Sequence, residues 1–306
     1  MNSQSQSEPV LPRALKRGDT LGIVAPASPF DRKAFDAGLR VLESMDFNLA
    51  IPESIFDQNG YLAGSDQHRA DLLNQLFADP DIDGIICARG GYGAMRILPL
   101  LDVDAIARHP KVFVGFSDIT VLLDFLVQRC RMVAFHGPTV TTLGKADPST
   151  RDRFLLALSK PAPLSLSTVS NQVIRPGITA GRFFCGNLTL LCHLTGTPFQ
   201  PDFSGSILLI EDQGEAPYRI DRMLTQMQLA GCFDGLAGMA LGAFVDCGPV
   251  DEVHRIVADR LGGQDLPILA GFDVGHERVN MTLPVGLPVR LDTYAGTLTF
   301  AGPAVR

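Results

Sequence analysis

Val112-Phe113-Val114-Gly115-Phe116-Ser117-Asp118-Ile119-Thr120-Val121-Leu122-Leu123 is the stretch on which the fold turns. Its first residues are β-branched and aromatic, the pattern of a short buried parallel strand, and the run stops at Gly115. From Asp118 onward the apolar residues Ile119, Leu122, Leu123 and Leu126 recur at helical spacing. Ser117 therefore occupies the turn between a strand's carboxyl end and a helix's amino end. There its side chain is lifted out of the sheet, close to backbone N–H groups the helix has not used. This is the strand–serine–helix arrangement of a nucleophile elbow, with Gly-Phe-Ser-Asp in place of G-x-S-x-G. The same residues also suit an ordinary helix-capping serine.

Upstream, Thr20-Leu21-Gly22-Ile23-Val24 reads as a first buried strand, Asp31 to Met45 as a helix and Phe47 to Ile51 as the next strand. Alternation of this kind predicts a parallel sheet with right-handed crossovers. Ala25-Pro26-Ala27-Ser28 lacks both G-x-G-x-x-G and G-K-[ST], so it offers little to a nucleotide. Ser65 to Ala78 forms a further helix with Ser65 as its N-cap. The strand Gly84-Ile85-Ile86-Cys87-Ala88 then runs into Arg89-Gly90-Gly91-Tyr92-Gly93. Glycines at the carboxyl end of a parallel strand let backbone approach a ligand, or simply pack a tight turn. Met132 to Phe135 is another short strand, and His136 at its end is a second, weaker candidate base for Ser117.

Between Lys145 and about Arg175 the composition shifts to Pro, Ser, Thr and Lys, a linker signature. The expected organisation is an α/β domain over 1–150, a linker over 151–175 and a β-rich domain over 176–306. In the last part, Cys185 to Leu191 reads as a loop entering a helix. Ser206-Ile207-Leu208-Leu209-Ile210 is a strand followed directly by Glu211, and Ile268 to Ala270 leads into a loop holding His276. The alternating segments Val289–Asp292 and Thr297–Phe300 form a terminal hairpin.

Composition narrows the function classes. The 306 residues are 46% hydrophobic and 19% charged, with a formal net charge of −7. No basic stripe is present to neutralise phosphates, which argues against nucleic acid as a partner. No apolar run approaches the roughly 20 residues of a bilayer span, so no membrane partner is expected. The polar start Met1–Glu8 lacks a secretory pattern, so a cytoplasmic location is expected. Six scattered cysteines and six histidines form no metal-ligand spacing, so neither metal nor other cofactor is expected.

Ser117, Glu211 and His276 are thus polar residues at turns or strand ends, in the order Ser, Glu, His. A serine hydroxyl needs a base, imidazole suits that task near neutral pH, and a carboxylate can fix its tautomer. Taken together with Arg89-Gly90-Gly91-Tyr92-Gly93, Gly186-Asn187-Leu188, Leu209-Ile210-Glu211-Asp212, and Gly275-His276 followed by Thr282-Leu283-Pro284, the chain resembles the LD-carboxypeptidase family of serine peptidases. Members of that family include muropeptide LD-carboxypeptidases and microcin-C immunity peptidases.

The resemblance implies a doubly wound, flavodoxin- or Rossmann-like N-terminal sheet domain with the nucleophile, and a smaller β-rich C-terminal domain with the Glu and His. It makes Ser117 the nucleophile, His276 the base and acid, and Glu211 the carboxylate orienting it, with Glu215 as rival. It places the N–H groups of Gly91 and Asp118 at the oxyanion, and Gly90, Tyr92 and Asn187 at the substrate. It implies a homodimer acting on a murein tetrapeptide, without metal. An acyl–nucleotide amide is the alternative substrate, and non-catalytic binding of a small molecule the alternative role. Arg89, Arg182 and Arg219 are the candidate cations for a substrate carboxylate.

Overall fold

The computed structural model describes residues 9–306, and the Met1–Glu8 stretch, on which the expected cytoplasmic location rests, lies outside them. The strands are β1 (Thr20–Val24), β2 (Asn48–Ala50), β3 (Gly84–Cys87), β4 (Val112–Gly115), β5 (Ala134–His136), β6 (Pro163–Ser167), β7 (Gln172–Arg175), β8 (Ile178–Asn187), β9 (Ser206–Gln213), β10 (Gly238–Val245), β11 (Ile268–Ala270), β12 (Leu283–Val285), β13 (Pro288–Asp292) and β14 (Thr297–Pro303). They form two sheets, ordered β12-β5-β4-β3-β1-β2 and β6-β14-β13-β8-β9-β10-β11-β7.

In the first sheet β1 to β5 are all parallel, in the order 2-1-3-4-5 of a flavodoxin-like doubly wound domain. Burial on both faces explains why these strands are continuously apolar: every residue of β3 and β4 is buried. The helices that cover the sheet begin where the sequence places them. Asp31 caps the helix Arg32–Ser44 by accepting from Ala34 N, and Ser65 caps Asp66–Ala78 by accepting from His68 N. Phe35, Phe77, Phe113 and Phe135 are fully buried around the sheet, and truncating one to alanine would cost about 3–5 kcal/mol.

The second sheet mixes directions. β8, β9, β10 and β11 run parallel, while β7, β13, β14 and β6 extend it antiparallel, the last pairs including the expected terminal hairpin. Two readings of the sequence are corrected here. The stretch 151–175 is no linker: it holds most of the helix Pro148–Ser159 together with β6 and β7, the two edge strands of the second sheet. Its Pro-Leu-Ser-Leu-Ser alternates exposed and buried, which is how a Pro- and Ser-rich segment makes an edge strand. The segment before Leu188 is the ten-residue strand β8, in which small and aromatic residues share the ladder, and not a loop.

One strand changes sheets. β12 follows β11 in the chain but pairs antiparallel with β5 of the first sheet, setting Leu283 opposite His136. The loop between β11 and β12 therefore spans the seam between the sheets, and His276 lies on it. All six cysteines are buried and unpaired. Among the described residues no helix is long and apolar enough to cross a membrane.

Candidate active site

Ser117 stands at the tip of the turn that leaves β4. A single 3-10 turn, Ser117–Ile119, leads into the helix Thr120–Gln128, and Ser117 has φ +64°. A left-handed backbone is unfavourable for a side chain of this kind, and such residues persist where the surroundings over-determine them. The surroundings are tight. A Cβ on Gly90 would lie 2.9 Å from the Ser117 Cβ and 3.2 Å from its Oγ, so only glycine lets the loop after β3 pass behind the serine. Ser117 does not act as a helix cap: it is the first residue of the 3-10 turn, and its hydroxyl faces His276.

Its Oγ lies 3.0 Å from Nε2 of His276, and Nδ1 of His276 lies 2.6 Å from Oε2 of Glu211. An ionised carboxylate can only accept, so Nδ1–H donates to Glu211 and the Nε2 lone pair faces the serine hydroxyl. These partners are 159 and 65 residues apart in sequence. Burial disfavours the charged imidazole, but the hydrogen bond and negative charge of Glu211 outweigh it and hold His276 above its ordinary 6.5. Burial likewise raises the fully enclosed Glu211 carboxyl, with His276 pulling it back.

Glu211 lies within β9, two residues short of its end, beside Asn187 of β8. On its other side the pairing of β9 with β10 slips between Leu241 and Phe244. That bulge frees Ala243 N to donate to Val274 O, which draws the histidine loop alongside Glu211. Gly275, at φ +126°, then passes so close that a Cβ would meet Glu211 Oε2 at 2.7 Å. Asn280 Oδ1 accepts from Gly275 N and steadies the loop from behind.

The neighbouring carboxylate does a different job. Asp212 is buried and accepts from Asn187 Nδ2, Thr189 N, Thr189 Oγ1 and Gln213 N, all within 2.9 Å. Asn187 N in turn donates to Thr120 Oγ1 at 3.0 Å, joining β8 to the helix that follows Ser117. Asn187 thus contributes to the frame of the site: it is buried, caps the helix Leu188–Leu194 and does not line the cavity beside His276.

The other expected residues divide. Gly91 follows Gly90 in the loop behind Ser117, and among the described residues its N–H meets no acceptor. Asp118 is buried, and its carboxylate accepts from Ala94 N at 2.7 Å, pinning the glycine loop to the serine turn. Burial pushes that carboxyl up to about 6, against the pull of the Ala94 N–H. The Tyr92 ring is exposed and meets Tyr61 edge-on, while its N–H donates to Ser28 Oγ. Glu215 contacts Arg219 and not the histidine. His136 is fully buried without a hydrogen bond to Ser117, and burial with the nearby charge of His276 drives it down to about 3.

A cavity of about 680 Å³ opens beside Phe116 and His276, lined also by Lys145, Glu277, Arg278 and Asn280. Arg89, Arg182 and Arg219 are not among its lining residues: Arg89 donates to Pro29 O, Arg182 lines a separate small cavity, and Arg219 reaches Tyr218 and Glu215. The cations that do reach it were hidden in the sequence. Lys145 sits in a segment with linker composition, and Arg278 had only its place two residues after His276 to mark it. Among the described residues no three His, Cys, Asp or Glu side chains are grouped to share a metal ion.

Residues 21–137 match the model of the LD-carboxypeptidase N-terminal domain, and residues 180–291 that of the C-terminal domain. The chain belongs to the LD-carboxypeptidase family. Among its relatives, a putative carboxypeptidase of Streptomyces coelicolor is 38% identical over 97% of this chain and 98% of its own length. A probable murein peptide carboxypeptidase of Bacillus subtilis is 36% identical over 92% of this chain and 91% of its own. The wild-type apo structure of the microcin C7 self-immunity protein MccF superposes with a TM-score of 0.89 at 26% identity, covering 97% of this chain and 100% of that one. For an LD-carboxypeptidase family chain, the mixed α/β architecture with a parallel-rich first sheet is accordingly the family's fold.

Proposed function

We propose that the protein is a serine carboxypeptidase that releases the terminal D-alanine of a murein tetrapeptide from the L-centre of meso-diaminopimelate, a step of cell-wall recycling in the cytoplasm. The observation that carries this reading is the hydrogen-bonded chain Ser117–His276–Glu211 at the seam between the sheets. It is supported by the family membership and by the murein peptide carboxypeptidase among the relatives.

In this mechanism the Ser117 hydroxyl attacks the amide carbonyl while His276 Nε2 takes its proton. The N–H groups of Gly91 and Asp118 receive the developing oxyanion, one from the glycine loop and one from the first turn of a helix. The imidazolium, steadied by Glu211, passes its proton to the departing D-alanine amine. That leaves an ester on Ser117, which water, deprotonated by His276, hydrolyses to the tripeptide. We further propose a homodimer as the working form.

The test is incubation with purified murein tetrapeptide, with and without EDTA. Release of D-alanine unaffected by the chelator is expected; absence of release, or its loss on chelation, would overturn the reading. A second reading, hydrolysis of an acyl–nucleotide amide, draws on the likeness to the microcin C7 self-immunity protein and on the exposed Tyr61–Tyr92 pair as a surface for a base. Competition between the two substrates decides it. Retention of biological activity by Ser117→Ala would instead favour a binding protein.

A further inference from the structure

We propose that the cavity beside His276 is the subsite for the far end of the diamino acid side arm, the end that carries a free carboxylate and a free ammonium. This inference rests on the peptidase reading above and names what that site selects.

The cavity begins at Phe116 and His276, where the reacting carbonyl would sit, and carries Lys145, Glu277, Arg278 and Asn280 on its walls. Its volume of about 680 Å³ falls within the usual span of small-molecule sites, roughly 300–1,000 Å³. No residue of the glycine loop lines it, so it extends away from the Gly91 side of the serine.

Three features point to a zwitterionic group. Lys145 and Arg278 are exposed, and neither forms an ion pair with a carboxylate among the described residues; Asp147 feels the charge of Arg278 without contacting it. Two unpaired cations at one cavity suit a carboxylate, and a guanidinium can grip it through two parallel N–H donors. Asn280 is 4% exposed, its Oδ1 is committed to Gly275 N, and among the described residues its Nδ2 makes no hydrogen bond of good geometry, with the His136 ring the group beside it. A buried amide N–H₂ without a well-placed acceptor is unfavourable, and a ligand oxygen would satisfy it.

The third feature is Glu277, immediately before Arg278 on the same wall. A lone carboxylate, such as that of the terminal alanine, would be repelled by it. A group bearing both charges would place its ammonium there and its carboxylate on Lys145, Arg278 and Asn280. Selectivity then comes from pairing each charge of the arm and from the unpaired groups a shorter arm would leave behind.

The experiment compares two tetrapeptides, one with meso-diaminopimelate and one with L-lysine in its place, which keeps the ammonium and lacks the carboxylate. The readout is the ratio of their kcat/KM values for D-alanine release, normalised to active sites titrated with a serine-directed reagent. Wild type is expected to favour the diaminopimelate peptide by about tenfold or more. Arg278→Gln and Lys145→Met, both at exposed positions, are expected to pull that ratio towards one, chiefly through KM on the diaminopimelate peptide. An unchanged ratio in both variants, or a wild type indifferent to the two peptides, would overturn the inference while leaving the peptidase reading intact. Failure of the wild type to cleave either peptide, with no calorimetric binding of either to Ser117→Ala, would instead bring down the peptidase reading and this inference with it.

Discussion

The two halves of the site are built by opposite means. Ser117 is shaped chiefly by its own neighbourhood, a buried four-residue strand, a left-handed residue and a helix within the stretch 112–128, with the glycine loop after β3 packed behind it. His276 is held by residues far from it in the chain. Its loop leaves the second sheet at β11 and enters the first at β12, and is fixed between by Glu211, Val274 and Asn280. A strained, pre-shaped nucleophile therefore meets a base whose position depends on both sheets packing correctly. Local sequence encodes the first, and tertiary structure makes the second.

Substitutions in each half put that contrast to the test. The largest effects come from the reacting pair: Ser117→Ala and His276→Ala should each lower kcat by about 10⁴-fold or more. The double variant should lose little beyond either single one, because the two residues act as a unit. Steady-state rates of D-alanine release check this, and additive losses would mean that the halves do not work together.

Glu211→Gln comes next, with an expected loss of roughly 10³–10⁴-fold, since a neutral amide neither fixes the tautomer nor steadies the imidazolium. Its pH profile carries the sharper information. His276 must be neutral to accept a proton, so kcat/KM should rise with pH through the pKa of this histidine, which Glu211 holds above 6.5. Removing that negative charge lowers the pKa, and the acid limb should move to lower pH. An unmoved limb would show that another group controls it.

Gly90→Ala probes the serine half through the glycine loop packed behind it. The added methyl would sit 2.9 Å from Ser117 Cβ, so the serine turn must shift, and a displacement of this order should cost about 10²-fold in kcat. Thr120→Val probes the joint between the halves by removing the acceptor of the buried Asn187 N–H. A loss of about 1–3 kcal/mol in urea-unfolding stability is expected, with a smaller effect on rate than any other substitution here. A loss of rate exceeding that of Gly90→Ala would reverse the order proposed for the two regions.

What the sequence reveals follows the same division. The parallel sheet is legible because its strands are continuously apolar and its helices begin at Asp31 and Ser65, signals within reach of a short window. Ser117 is legible as a turn residue for the same reason, although the left-handed backbone that sets it apart leaves no mark on composition. Glu211 and His276 gain their meaning from family motifs, since nothing local to either shows that a bulge in β10 and a strand exchanged between sheets bring them together. The supposed linker misleads because edge strands tolerate the prolines and serines that loops favour. Asn187 belongs to a motif of the site, and its side chain holds Asp212 and a helix end beside Glu211, a framing role that its motif alone does not reveal. Lys145 and Arg278 could be found only once the cavity was seen.

Covalent labelling of the nucleophile is the decisive experiment. The intact protein is treated with a fluorophosphonate and the adduct located by peptide mass spectrometry, in wild type and in His276→Ala. One adduct on Ser117 in the wild type, formed far more slowly without the imidazole, is the predicted result. Modification at a different residue, or labelling of Ser117 at the same rate in both proteins, would contradict the account.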